Sequence, residues 1–149
     1  MDGKEDAVTK RILALGGEYT ATVRDHAINP RNVGSISRPD GFGEATGVCG
    51  DTMAIWLRVA EGRITEATFW TDGCGPTIAC GSMVTELVKG RTVREAWQVD
   101  EQAVLRALGG LPEESTHCAA LAVTTLRRAL EDYVKLQREP WRKAYRQAR

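Results

Sequence analysis

The sequence lacks an excess of charge, a long apolar stretch and any internal repeat. Its 20 lysine and arginine residues balance 20 aspartate and glutamate residues, so the total charge gives no reason to expect nucleic acid or an anionic membrane as a partner. No apolar run approaches the roughly 20 residues that span a bilayer. The first residues, MDGKEDAVTK, lack the basic start and apolar stretch of a signal peptide. We therefore expect a cytoplasmic protein.

Cysteine is also scarce, because the 149 residues include only four, at positions 49, 74, 80 and 118. A reducing cytoplasm disfavours structural disulfides, which leaves metal binding, catalysis or simple burial. The chain has no Cys-x-x-Cys pair, and the spacing between Cys74 and Cys80 matches no standard zinc knuckle. Spacing alone therefore leaves metal ligation and buried thiols both open.

Hydrophobic periodicity predicts a β-hairpin in the middle of a chain that, at this length, is most simply one domain. The alternation over residues 52–59 is typical of a half-buried strand, and residues 64–71 are rich in β-branched and aromatic side chains. Residues 43–48 supply a third strand. Helical patterns follow a different period and cover residues 5–15, 18–28, 76–89, 92–98, 100–108 and a long final segment that Thr116 can cap.

The hairpin turn predicts that two of the cysteines lie side by side. If the turn centres on Glu61-Gly62, paired residues have numbers that sum to 123, and Cys49 and Cys74 satisfy that sum. A bulge would shift this pairing by one residue. Both thiols are therefore expected at the open end of the hairpin.

Helix starts supply a second reason to expect reactive thiols. Cys74 precedes one predicted helix and Cys118 lies in the first turn of another, where the helix dipole favours thiolate. Flanking glycines allow backbone N–H groups to approach sulfur. Asp51 and His117 stand beside these thiols as harder ligands. Three thiolates with one such ligand suit zinc or an exchangeable cluster better than a permanent centre.

Read together, these residues resemble the U-type iron–sulfur scaffold family, which includes IscU and the amino-terminal domain of NifU. The resemblance runs from about Tyr19 to Tyr133 without a large insertion. It rests on the stretches DHAINPRNVG at 25–34, GVCGD at 47–51, FWTDGCGPTIACGS at 69–82, HCAALA at 117–122 and ALEDYV at 129–134. No single stretch would be specific, but the combination is.

The resemblance implies an α+β fold, with a small antiparallel three-stranded sheet and helices packed on it. It implies a scaffold or carrier, not a turnover enzyme, that builds a labile [2Fe-2S] cluster from iron and sulfur. A cysteine desulfurase would deliver the sulfur, apo iron–sulfur proteins would receive the cluster, and zinc can occupy the same site. The residues that match the family's ligands are Cys49, Asp51, Cys74, His117 and Cys118. The domains would be an amino-terminal extension at 1–18, the scaffold domain at 19–138 and a basic tail at 139–149.

Three features depart from the family pattern, and the first is the extension of both ends, by residues 1–18 and by the basic tail. Leu111-Pro112-Glu113-Glu114-Ser115 replaces the Leu-Pro-Pro-Val-Lys recognised by a dedicated Hsp70-type chaperone, which puts that partnership in doubt. Cys80 stands where Ser or Ala is usual, and we interpret it as a buried packing residue.

Alternative functions are a zinc-binding sulfur acceptor, a structural zinc interaction domain, and a thiol protein that uses Cys118 as nucleophile. A zinc-dependent branch carries an insertion that this sequence lacks.

Overall fold

The computed structural model of the protein describes residues 19–145, with side chains as far as residue 142. This part of the chain contains three strands, β1 (Gly41–Thr46), β2 (Thr52–Ala60) and β3 (Arg63–Thr71). It contains five α-helices, α1 (Ala21–Ile28), α2 (Gly75–Val88), α3 (Val93–Trp97), α4 (Glu101–Leu108) and α5 (His117–Arg138), and short 3₁₀ helices at Glu113–Ser115 and Pro140–Tyr145.

The strands form one antiparallel sheet in the order β1-β2-β3, so the predicted α+β fold is confirmed. The predicted helices after residue 18 are present with ends shifted by a few residues. The helix predicted at 5–15 lies outside the described residues, and the division into extension, scaffold domain and tail stays a prediction. Over residues 19–145 none of the helices combines the length and the apolar character that crossing a membrane requires.

The hairpin turn is where the sequence placed it, but a bulge displaces the register. Glu61 and Gly62 both have positive φ, at 53° and 75°, as a two-residue type I′ turn requires. The pairs next to the turn sum to 123, whereas from Arg58↔Glu66 onward they sum to 124. Thr65 is the extra residue, and such a bulge re-aims the strand beyond it. The expected direct pairing of Cys49 with Cys74 is wrong, because the register is displaced and the ladder ends at Met53↔Thr71, before either cysteine.

The final helix packs against strand β1 at backbone distance. Side chains at Gly41 and Gly43 would overlap backbone atoms of α5 around Ala129, so these glycines permit the close approach. The Asp132 carboxylate then accepts a hydrogen bond from the Phe42 amide at 2.8 Å. The contact holds α5, whose first residues are His117 and Cys118, in a fixed position on the sheet.

The stretch DHAINPRNVG has a structural role at the far side of helix α2. The Ser82 hydroxyl accepts from the Arg31 amide at 2.9 Å and lies 2.7 Å from Nδ1 of buried His26. Burial lowers the pKa of His26, so a neutral imidazole suits this contact. Asn32 and Gly34 add to the edge of β3 through backbone hydrogen bonds with Phe69. These contacts fix the helix whose start carries Cys74.

Candidate functional site

Three segments that are distant in sequence meet around one cavity of about 270 Å³. They are the turn between β1 and β2, the start of α2 and the start of α5. The cavity is lined by all five predicted site residues together with four others: Tyr19, Cys49, Asp51, Cys74, Pro76, Glu114, Ser115, His117 and Cys118. The convergence that the sequence predicted is therefore present, although it depends on the turn and the helix starts and not on direct strand pairing.

The imidazole of His117 stands between two thiols. Its Nε2 atom lies 3.1 Å from Cys49 Sγ and 3.7 Å from Cys118 Sγ. Cys49 and Cys74 are exposed, whereas Cys118 is buried with 3% of its surface accessible. The site therefore has two thiols open to solvent and a third at its base.

Cys118 differs electrostatically from the expectation based on its helix start. Burial raises the pKa of the Cys118 thiol. The nearby groups Cys74, Asp51 and Cys49 add to the increase. Desolvation is the largest cause, because the residue packs into the core at the base of the cavity.

Two of the flanking glycines, Gly50 and Gly73, also act differently from the prediction. The amides of Gly50 and Gly73 donate to Gly47 O and Thr71 Oγ1, at 3.0 and 3.1 Å, so they are not directed at sulfur. Gly50 has φ +85°, a backbone conformation that favours glycine. A Cβ on Gly73 would lie 2.7 Å from Thr77 and 2.9 Å from Asp51 Oδ2. Gly73 therefore makes room for those two side chains.

Thr77 and Tyr19 belong to the site, and sequence reasoning missed both. The fully buried Thr77 hydroxyl donates to Asp51 Oδ2 at 3.0 Å and lies 3.3 Å from Cys118 Sγ. The Tyr19 hydroxyl lies 3.1 Å from the Ser115 hydroxyl and so joins the first described residue to the turn before His117. The sequence did contain one indication that Thr77 lies near the site, because it follows Cys74 by three residues in the first turn of a helix.

The side chains around the cavity are a donor set that iron–sulfur clusters and zinc both accept. In the described part of the chain, no group of three or more His, Cys, Asp or Glu side chains is arranged to hold one metal ion. Five such side chains nevertheless surround the cavity, and thiolate with imidazole or carboxylate is a ligand set for iron–sulfur clusters and for zinc. Cys80 is fully buried away from the cavity lining, and burial raises the pKa of its thiol well above the usual value.

Comparison with known proteins gives concordant results. The family model described as "NifU-like N terminal domain" matches residues 18–140. The chain is 48% identical over 118 residues to the iron-sulfur cluster assembly scaffold protein IscU 1 of Archaeoglobus fulgidus, covering 78% of this chain and 77% of that one. It is 39% identical over 123 residues to the IscU scaffold protein of Aquifex aeolicus, covering 80% and 78%.

A solved structure shares the fold at low sequence identity. A putative iron-sulfur cluster assembly scaffold protein for the SUF system, from Fervidobacterium islandicum, superposes with a TM-score of 0.61 at 18% identity. The match covers 75% of this chain and 96% of that one.

Proposed function

Because the chain belongs to the family of NifU-like N-terminal domains, we propose that it is a scaffold on which a labile iron–sulfur cluster is assembled and from which the cluster passes to apo-proteins. The observation that carries this proposal is the convergence of three thiols, a carboxylate and an imidazole on one open cavity. The cluster is the cargo of the protein, and the scaffold acts as a carrier and sulfur acceptor.

Each site residue has a role in this proposal. Thiolates of Cys49, Cys74 and Cys118 bind the iron atoms of a [2Fe-2S] cluster, and His117 or Asp51 completes the coordination. The Cys49–His117 distance of 3.1 Å supports their action on a common metal. A cysteine desulfurase supplies sulfur as a persulfide, whose outer sulfur passes to Cys118 while the desulfurase thiol leaves, and an external electron donor reduces this sulfur to sulfide as the cluster forms. Tyr19 and Ser115 line the same cavity and lie 3.1 Å apart at their hydroxyl oxygens.

The lability of the cluster follows from the same geometry. Two of the three thiols are exposed, so competing thiols from an acceptor reach the iron atoms without a rearrangement of the fold. The non-thiolate ligand binds soft iron–sulfide less well than a fourth thiolate would. A carrier that must release its cargo benefits from both properties.

Zinc is a second candidate occupant of the same site. Three cysteines and one histidine form a common zinc ligand set, and His117 contacts two of the thiols. A protein that uses zinc for structure would unfold with chelator and transfer nothing, whereas a scaffold reconstituted with iron and sulfide loses colour to an apo-acceptor.

Single replacement of the three cysteines tests the ligand assignment. We expect Cys49→Ser, Cys74→Ser and Cys118→Ser each to reduce the yield of the [2Fe-2S] chromophore to near background, because each removes a thiolate. The measurement is visible absorption and circular dichroism after anaerobic reconstitution, with iron and sulfide quantified per chain.

Cys80→Ser is the matched control, because it removes a thiol that lies outside the cavity lining. This variant should keep the chromophore and lose stability by about 1 kcal/mol, as a core position that loses apolar character. A full cluster yield in any of the three ligand variants, or a shifted spectrum in Cys80→Ser, would refute the assignment.

A further inference from the structure

We propose that Thr77 is a positioning residue, whose hydroxyl holds the Asp51 carboxylate back from the metal and thereby slows release of the cargo. The inference deepens the proposed function and rests on it. It concerns a side chain that neither the sequence pattern nor the ligand set singled out.

The hydroxyl of Thr77 links two of the proposed ligands. It donates to Asp51 Oδ2 at 3.0 Å and lies 3.3 Å from Cys118 Sγ. A hydroxyl carries one proton and can donate only one hydrogen bond at a time, and in this geometry the carboxylate receives it. The Thr77 side chain is fully buried, so water does not replace this donor when the carboxylate moves.

Other buried threonines show what a structural role looks like in this fold. Thr85 in α2 and Thr125 in α5 each donate to a carbonyl one turn earlier in their own helix, Gly81 O at 2.9 Å and Leu121 O at 2.7 Å. The Thr77 hydroxyl instead contacts the side chains of Asp51 and Cys118, which lie outside its own helix. A hydrogen bond to the backbone of their own helix therefore accounts for the buried hydroxyls of Thr85 and Thr125, and it does not account for the hydroxyl of Thr77.

The backbone opposite Thr77 is shaped to accept the same pair. A Cβ on Gly73 would lie 2.7 Å from Thr77 and 2.9 Å from Asp51 Oδ2, and both distances are below ordinary van der Waals contact. The absence of a side chain at Gly73 is thus what allows the Thr77–Asp51 hydrogen bond to form. Two independent features, the direction of the hydroxyl and the space made by Gly73, point to the same contact.

The contact restrains one carboxylate oxygen. While Oδ2 is bonded to Thr77, its lone pairs are partly occupied, and moving it toward a metal requires breaking a hydrogen bond to a charged group. Removing the hydroxyl frees the carboxylate to bind iron and to draw it from the thiolates. Loss of cargo should therefore become faster without Thr77, and only when Asp51 is present.

The test is a double-mutant cycle of Thr77→Val and Asp51→Ala, with Thr77→Ser as the conservative variant. Thr125→Val is the matched control, because it removes a buried helix hydroxyl away from the cavity. We expect Thr77→Val to lose cluster absorbance to chelator about 3- to 10-fold faster than wild type. The Thr77→Ser and Thr125→Val variants should lose it near the wild-type rate. The double variant should lose it at the rate of Asp51→Ala.

A second readout uses cobalt(II) in place of a cluster. The ligand-field bands of the cobalt-loaded protein report whether a carboxylate oxygen binds the metal. Thr77→Val should shift these bands when Asp51 is present and leave them unchanged in the Asp51→Ala background. If Thr77→Val does not fold, Thr77→Ala is the second hydroxyl-free variant, and thermal unfolding of the metal-free proteins identifies that case.

Several outcomes would overturn the inference. Wild-type decay and unshifted cobalt bands in Thr77→Val would do so, and so would equal acceleration in the Asp51→Ala background or in Thr125→Val. Failure of the wild type to assemble any cluster would instead refute the proposed function, and the cobalt spectra would still decide the role of Thr77.

Discussion

Asp51 differs from its neighbours in the cavity because it offers a hard oxygen atom among soft sulfur atoms. We expect Asp51→Ala to assemble a cluster with His117 or an outside ligand completing the shell, and to lose it several-fold more slowly to chelator and to an apo-acceptor. The measurement is the decay of visible absorbance in anaerobically reconstituted protein. Decay at or above the wild-type rate would make Asp51 a stabilising ligand or a turn residue.

Asp72 provides the control for this prediction. Its carboxylate is close in sequence to Cys74 but accepts from the Thr52 amide at 2.8 Å and is absent from the cavity lining. Asp72→Ala should therefore leave the decay rate unchanged, although it removes the same charge from the same end of the hairpin.

At this residue scale the sequence indicated which side chains would meet at the cavity better than it indicated their surroundings. Cys49, Asp51 and His117 are recognisable because their chemistry and their family motifs coincide. Thr77 and Tyr19 are not, since a hydroxyl acquires its role from the partner that tertiary packing brings to it. The raised pKa of Cys118 escaped prediction for the same reason, because its burial depends on how α5 meets the cavity.

Among the elements, strand β1 and helix α5 are joined by the closest contact. We expect Gly43→Ala to lower the free energy of unfolding by about 1–3 kcal/mol, because the added methyl group would overlap backbone atoms of α5 that cannot rotate away. Urea denaturation followed by circular dichroism measures this loss.

Gly47→Ala is the matched substitution for that experiment. A Cβ at Gly47 would meet the Leu121 side chain at 3.4 Å, an ordinary van der Waals contact, so we expect a clearly smaller loss of stability. Equal losses in the two variants would show that the β1–α5 contact adjusts freely and does not depend on glycine.

Element positions could be predicted from periodicity, whereas their register could not. The alternation over residues 52–59 and the turn at Glu61-Gly62 gave both strands of the hairpin, and the structure confirms them. The bulge at Thr65 shifts the alternation by one residue, because Thr65 and Glu66 are both exposed between the buried Ile64 and Ala67. Two adjacent polar residues were its trace in the sequence, and such a pair is too common to fix a register. The predicted cap at Thr116 differs too, since its hydroxyl donates to Glu113 O where a 3₁₀ turn runs into α5.

At the scale of the whole molecule, residues 111–115 lead to a prediction about one partnership. Glu113 and Glu114 are exposed, and Ser115, where the resemblance implies lysine, is 6% exposed and bonded to Tyr19. We expect no saturable binding to the dedicated Hsp70-type chaperone at micromolar concentrations, because two acidic groups oppose a site selected for a basic motif. Calorimetric titration measures it, and binding of ordinary strength would contradict this expectation.

The reverse substitution provides the positive control. Replacing Glu113, Glu114 and Ser115 with Pro, Val and Lys restores the expected motif and should restore binding. Binding to a cysteine desulfurase should remain in both proteins, because the proposed persulfide acceptor, Cys118, is unchanged.

The way distant segments close the cavity has a consequence for biosynthesis. Cys49 and Cys118 are about 70 residues apart, so at roughly 5–20 residues per second a ribosome needs about 4–14 seconds to add the second after the first. During that interval the nascent chain carries two thiols that end up at the surface, without the helix that completes the site. Under the proposed function, a newly made chain becomes competent to receive iron and sulfur only after its last long helix has emerged and docked on β1.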